Sequence, residues 1–244
     1  MTVDYFKQRY GYEIGGLWMP RVTAVTAMVS KANFFASRDS ADWGTLVHDA
    51  IGRLLQNSTD SFDAGFLPSL KAFREWSKAS NFKIGNPADA IEKKVFDKEY
   101  LYAGTVDLIA KVKSTLGVID IKTSSSMRDE YALQTAAYFN AYNKTRNKEE
   151  QCKTRWILRI DQYAECKGCY AKQRAASSRV SGGNPRCNHV WEEPKAEIEF
   201  EELPNHEHDL QAFLSAKELW EWYNRDWLKQ IQNYPKKFLQ KILI

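Results

Sequence analysis

The chain has 244 residues, of which 43% are hydrophobic, 27% charged and 13% aromatic. That is enough apolar material for a packed core without disulfide staples, and it excludes a disordered or low-complexity protein. A formal net charge of +4 is too weak a field to hold an anionic polymer by itself, so any nucleic-acid surface must come from local clustering of Lys and Arg.

In chain order, "YEIGGLWMP" predicts two short strands around Gly15-Gly16 closed by Pro20, and "RVTAVTAMVSKANFF" a short helix. "SRDSADWGTLVHDAIGRLLQN" offers Ser and Asp caps before a helix that carries His48 and an apolar face of Leu46, Ile51, Leu54 and Leu55. Residues 67–79 predict an amphipathic helix, and "AIEKKVFDKEYLYAGTVDLIAKVKSTLGVIDIKT" alternates like three successive strands. Residues 128–146 have a helical pattern and "TRWILRID" reads as a strand. Residues 163–194 form a Gly/Ser/Cys-rich excursion that interrupts a hairpin before "AEIEFEEL" returns. A final helix is expected over 206–227, with Phe213, Trp220, Tyr223 and Trp227 as a core stripe. No apolar run approaches the ~20 residues of a membrane-spanning helix, and the N-terminus lacks the basic-then-apolar order of a secretory signal; the expectation is an intracellular, cytoplasmic protein with no membrane partner.

The chemistry gathers in the second and third of the central strands. Side chains alternate along a strand, so Val118, Asp120 and Lys122 share one side of "GVIDIK" while Ile119 and Ile121 point to the other. In the strand before it, Tyr102, Val106, Leu108, Ala110 and Val112 form the apolar side, leaving Thr105, Asp107 and Lys111 opposite. A hairpin turning through residues 113–116, with an even number of loop residues, puts Asp107 and Asp120 on one face about a diagonal pair apart; an odd loop separates them. Two carboxylates that close repel unless they share a cation, and hard oxygen ligands favour Mg²⁺ or Mn²⁺. Lys122 beside them can position a water or steady charge on a phosphoryl oxygen, which suits phosphodiester hydrolysis.

Glu92, "AGTVD" ending at Asp107, "IDIK" with Asp120 and Lys122, and "QTAAY" with Gln134 and Tyr138 together resemble the RecB-like branch of the PD-(D/E)XK nucleases. "WGTLVH" resembles the helical motif that supplies a histidine ligand in that branch, and "PRVTAVTAMVSK" is similar to the opening of standalone phage and mitochondrial RecB-like exonucleases. The resemblance spans roughly residues 12–142. It implies an α/β (α+β) restriction-endonuclease-like core, a central mixed sheet flanked by helices, in one nuclease domain over residues 1–244. It further implies that His48, Asp107, Asp120 and the carbonyl of Ile121 coordinate the metal, that Lys122 acts on the nucleophilic water, and that Glu92 is an ancillary acid. Gln134 and Tyr138 lie on one helical face and either contact the substrate strand or hold Lys122 in place; Tyr138 is equally suited to the core. One metal or two is left open.

Cys166-x-x-Cys169, followed after seventeen residues by Cys187-x-His189, is a four-ligand set of the kind that closes a tetrahedral zinc site. The expectation is a structural zinc finger over residues 163–194, ordered by the ion because the segment has little apolar content. RecB-like nucleases with an iron–sulfur cluster place one cysteine before the histidine motif, and here none precedes Cys152, so zinc is favoured over such a cluster. Cys152 is expected to be a buried or edge thiol, with replacement of His189 as fourth ligand the alternative. Lys167, Lys172, Arg174, Arg179 and Arg186 lie in a stretch without a single acid and are expected to meet DNA phosphates.

The leading expectation is a metal-dependent DNA exonuclease acting on ends or single strands in recombination, repair or phage DNA processing, with a helicase or recombination protein as a possible partner. The alternatives are an endonuclease of the same fold and a non-catalytic DNA-binding or scaffold subunit.

Overall fold

The computed structural model describes residues 1–30, 38–58, 61–175, 180–235 and 237–238. The chain opens with helix α1 (Val3–Tyr10), capped by the Thr2 side chain on the Tyr5 amide, and a hairpin of β1 (Gly11–Ile14) and β2 (Leu17–Pro20). Gly15 and Gly16 take φ of 57° and 77° in its turn, a left-handed pair that fits the twist of a two-residue hairpin. Helix α2 (Val22–Thr26) follows, and the rest of the predicted short helix lies outside the described residues.

Helix α3 (Arg38–Leu55) carries the expected apolar face in shifted form. Val47, Ala50 and Ile51 are buried, whereas Leu46, expected in that face, is 49% exposed. The caps expected ahead of α3 lie outside the described residues and side chains. Helix α4 (Leu67–Ala79), strand β3 (Lys83–Ile84) and the short α5 (Pro87–Ala90) lead into β4 (Ile91–Asp97), β5 (Tyr102–Val112) and β6 (Thr115–Lys122), the three expected strands.

After β6 the chain crosses through α6 (Glu130–Lys144) to β7 (Thr154–Glu165), which pairs parallel to β6; the other pairings in this sheet are antiparallel. Strands β8 (Lys172–Arg174), β9 (Val180–Ser181) and β10 (Lys195–Glu202) complete an 8-stranded mixed sheet. Helix α7 (His206–Tyr223) and the short α8 (Arg225–Leu228) close the described chain. Phe213 and Trp220 of the expected α7 stripe are buried and Trp227 packs against them, but Tyr223 is 61% exposed. The helix is shorter than expected, and the backbone turns at Asn224 before the stripe is complete.

Two apolar clusters cover the two faces of the sheet. On one, α1, α2, α6 and α7 pack Phe6, Trp18, Tyr102, Ala137, Phe213 and Trp220 together; on the other, α3 and α4 pack Val47, Ile51, Leu70 and Phe73 on Leu108, Ile119 and Leu158. This corrects the single apolar side expected for β5. Ile109, on the face of Asp107, is as buried as Leu108 and Ala110, because helices cover both sides of a strand that neighbours a parallel pair. Thr105 and Asp107 form a polar notch in a strand buried on both sides.

Candidate active site

The β5–β6 turn is tighter than the expected loop. Val112 pairs with Thr115, so Lys113 and Ser114 alone make the turn, with Lys113 at a φ of 57°. The loop remains even, so parity keeps Asp107 and Asp120 on one face. The ladder runs as far as Leu108↔Ile119, and its next step places the two acids directly opposite rather than diagonal. On the other edge of β5, Ile91↔Leu108 and Lys93↔Val106 bracket Glu92 opposite Asp107. Three carboxylates therefore lie in one row across β4, β5 and β6, where the ladder leaves a gap on either side of Asp107. Glu92 takes a φ of 48°, a left-handed conformation that costs a non-glycine residue about 1–2 kcal/mol.

Helix α3 brings the imidazole expected as a ligand. Gly44 lets the helix pass close to Thr123 at the end of β6, since an added Cβ would stand 3.2 Å from its Oγ1. One turn on, His48 Nδ1 lies 3.5 Å from Asp107 Oδ1. Ligand atoms of His48, Glu92 and Asp107 all fall within 4.8 Å of one another. Asp107 turns its other oxygen to the Ile121 amide, at 2.6 Å. In an extended strand the N–H and C=O of one residue point to the same neighbour, so the Ile121 carbonyl also faces β5, as the expected ligand role requires.

Asp120 stands beside this cluster rather than within it. It is 1% exposed, with Lys122 Nζ 2.6 Å from its Oδ2 and Gln134 Nε2 donating to its Oδ1 at 2.8 Å. The same Nζ also donates to Gln134 Oε1 at 3.1 Å, so one ammonium links the carboxylate and the amide. Of the two roles expected for Gln134, the structure places it in the one that holds Lys122. Tyr138 belongs to the core: it is 2% exposed, its hydroxyl accepts from Gln134 Nε2, and its ring occupies the space a side chain at position 104 would take. That close approach, 2.4 Å to an added Cβ, is why glycine sits in "AGTVD".

The electrostatics follow from burial and crowding. Burial, reinforced by the neighbouring Asp107 charge, outweighs Lys122 and pushes the Asp120 carboxyl up to about 6. Burial and the charges of Asp107 and Asp120 also raise Glu92. For His48, burial favours the neutral ring, but the adjacent Asp107 outweighs it and holds the imidazole at about 8. For Asp107, burial is outweighed by His48, Lys122 and the Ile121 amide, and the carboxyl lies below its ordinary value. Carboxylates and an imidazole gathered this closely are donor types that a divalent cation takes.

A cleft of about 470 Å³ exposes this group. Its wall includes Thr45, Tyr12 and Arg21, side chains that sequence reasoning missed; no local pattern marks them, because the N-terminal hairpin brings Tyr12 and Arg21 there through a bridge between Arg21 and Ala103.

The cysteine excursion forms a second cluster. Cys166, Cys169, Cys187 and His189 offer ligand atoms within 4.8 Å of one another, with Cys166 and Cys187 sulfurs 3.8 Å apart and Cys169 Sγ 3.5 Å from His189 Nδ1. A tetrahedron with Zn–S about 2.3 Å and Zn–N about 2.0–2.1 Å has edges of about 3.8 and 3.5 Å. The cluster is therefore placed to hold a metal such as zinc. Burial raises the Cys166 thiol, but amide donors from Gly168, Cys169 and Val190 and the His189 ring outweigh it and draw the thiol down to about 6. A hydrogen bond with Cys169, together with burial, pushes Cys187 up to about 11. Cys152 is outside the cluster, at the entry to β7. It is 2% exposed, its amide accepted by Asn143 and its thiol raised by burial to about 12, which fits the buried-thiol alternative rather than the ligand one.

The basic residues of the excursion divide. Lys167 and Arg186 are exposed. Arg174 makes two hydrogen bonds to Asp161 at 2.8 and 2.9 Å, and Lys172 lies 3.8 Å above the Tyr163 ring and 3.9 Å from Glu197. Residues 167–188 contain no acids, but β7 and β10 supply them. Arg179 lies outside the described residues.

No protein-family model matches the chain, and no curated protein does. A solved structure titled "Crystal structure of SSO0001" is similar over 91% of this chain and 94% of that chain, at 12% identity and a TM-score of 0.29, too slight a likeness to bear on the fold or the site.

Proposed function

We propose that the protein is a metal-dependent phosphodiester hydrolase of the PD-(D/E)XK type, acting on DNA, with an exonuclease as the leading form. The observation that carries this reading is the row Glu92, Asp107 and Asp120 across three adjacent strands, with His48 above Asp107 and Lys122 held against Asp120 by Gln134. A restriction-endonuclease-like core is supported by the same element order, in which a β5–β6 hairpin passes through α6 to a parallel β7.

His48, Glu92, Asp107 and the Asp120 carboxylate would hold Mg²⁺ or Mn²⁺, joined by the Ile121 carbonyl. Bound there, a divalent ion would offset charge on a phosphoryl oxygen and acidify a water. The chain's own residues supply the rest. Lys122 keeps its proton, since its acids outweigh the effect of burial, and stands where it can orient a water or donate to the departing oxygen. Gln134 fixes that ammonium by one hydrogen bond while fixing Asp120 by another, so nucleophile-side and ligand-side groups share one support. The finger cluster would hold a structural Zn²⁺ and present Lys167 and Arg186 to phosphates.

The test is release of nucleotides from end-labelled single- and double-stranded DNA with Mg²⁺ or Mn²⁺. Asp120→Ala and Lys122→Ala should each lower the rate by at least about a hundredfold, EDTA should abolish it, and DNA binding should persist. Cleavage that survives both substitutions, or that proceeds in EDTA, rejects the reading. A covalently closed circle distinguishes the exonuclease, which leaves it intact, from the endonuclease.

A further inference from the structure

Besides Lys122 and the His48 ring, the acidic cleft has a guanidinium among its described lining, Arg21, and its surroundings are built to hold it still. Its Nη2 donates to the Gln8 carbonyl at 2.8 Å, in the last turn of α1, and its Nε to the Gly11 carbonyl at 3.3 Å. The guanidinium lies 4.4 Å above the Tyr12 ring. Tyr12 in turn places its hydroxyl 3.4 Å from Thr105 Oγ1, on the strand that carries Asp107. Among the described residues these carbonyls and this ring are the side chain's hydrogen-bond and ring partners, and no carboxylate forms an ion pair with it. Arg21 and Tyr12 also line the neighbouring pocket along α1 and β1, so they form the partition between that pocket and the acidic cleft.

A guanidinium with one edge tied to backbone carbonyls and one face to an aromatic ring has its remaining N–H groups fixed in direction before any ligand arrives. Such preorganisation favours a planar, two-pronged contact with a phosphate or carboxylate. Beside a row of three acids, an unneutralised and rigid cation serves an anionic occupant that the acids alone would repel.

We propose that Arg21, braced by Tyr12, is the phosphate-holding residue that seats a nucleic-acid strand against the acid row, gripping a backbone phosphate next to the one presented for cleavage. This rests on the hydrolase reading for the identity of the strand, and on the hairpin geometry for the site itself. The strand passes over the Tyr12–Arg21 partition, from the α1 pocket into the cleft.

The test uses a fluorescein-labelled oligothymidylate and full-length protein in EDTA, with binding followed by anisotropy over a salt series. Arg21→Gln is expected to weaken binding about tenfold and to make the slope of log K against log salt shallower by about 0.7, the value for one phosphate contact on a single strand. Arg21→Lys keeps the slope but loses affinity, because an ammonium cannot serve both carbonyls and a phosphate in one plane. Tyr12→Leu likewise keeps the slope and weakens binding, and it carries the test should Arg21→Gln fail to fold. Unchanged affinity and slope in Arg21→Gln, or unchanged affinity in Tyr12→Leu, overturns the assignment. Cleavage by the wild type with an Arg21→Gln variant of unaltered binding and KM removes the Arg21 site and leaves the hydrolase reading. An Arg21-dependent slope in a protein that releases no nucleotides does the reverse. A wild type that binds no oligonucleotide removes both.

Discussion

Asp120 shows how a single side chain sets stability and chemistry against each other. Its carboxyl is raised from 3.8 to about 6 by burial and by Asp107, so the fold prefers it protonated. A folded-state value above the unfolded one contributes stability that is complete below about pH 3.8 and lost as pH rises through about 6. Asp120→Asn removes the titration, so in EDTA the stability of the variant relative to wild type should rise between pH 4 and pH 7. Denaturant melts at the two pH values measure it, and an equal difference at both shows that Asp120 does not carry the charge strain. His48 acts in the same direction, its favourable contribution fading as pH rises through about 8.

The cysteine excursion is an element in its own right, and its order has two sources. β8 and β9 extend the sheet from β7, and Cys166 bridges to Trp191, so backbone pairing organises much of a segment that its composition alone leaves to the metal. An ion in this cluster would have a narrower task, pinning three thiols and a ring. The purified protein should carry about one zinc per chain. Cys187→Ser should lose it and raise protease sensitivity within residues 163–194, while Cys152→Ser should retain it. Metal analysis by atomic emission, with limited proteolysis, checks both outcomes. Gly183, at a φ of 69° with Cys169 Sγ 2.8 Å from an added Cβ, shows how closely the chain wraps this cluster.

At the scale of the whole molecule, Arg155 ties the layers together. It is 1% exposed on β7, donates to the Ala132 carbonyl and Thr135 hydroxyl on α6, and pairs with Asp209 on α7. Because α6 also carries Gln134, this clamp holds the helix that supports Asp120 and Lys122. Removing one partner of a buried ion pair costs about 3–5 kcal/mol. Arg155→Ala should lose that much by urea denaturation and should lower cleavage through α6. A loss below 1 kcal/mol indicates that packing alone fixes the helix.

Periodicity and turn chemistry determined the element order, from the Gly15-Gly16 hairpin through the three central strands and α6 to the interrupted β7–β10 hairpin. Whether Asp107 and Asp120 share a face was left to the parity of the loop between them, and the pairing of Val112 with Thr115 made that loop even. The four side chains of the excursion that are placed to hold a metal were legible from spacing, because ligand spacing is local. Tertiary structure alone decided the rest. Leu46 and Tyr223 fit an apolar stripe by sequence, yet they are exposed, with nothing among the described residues burying those parts of α3 and α7. Arg174 looked free until Asp161 from β7 met it, and Arg21 became part of the cleft through the pairing of a distant hairpin with β5. Local pattern encodes which way a side chain faces within its own element. Which charges meet across elements depends on packing between segments far apart in the chain, and no short window of sequence contains that.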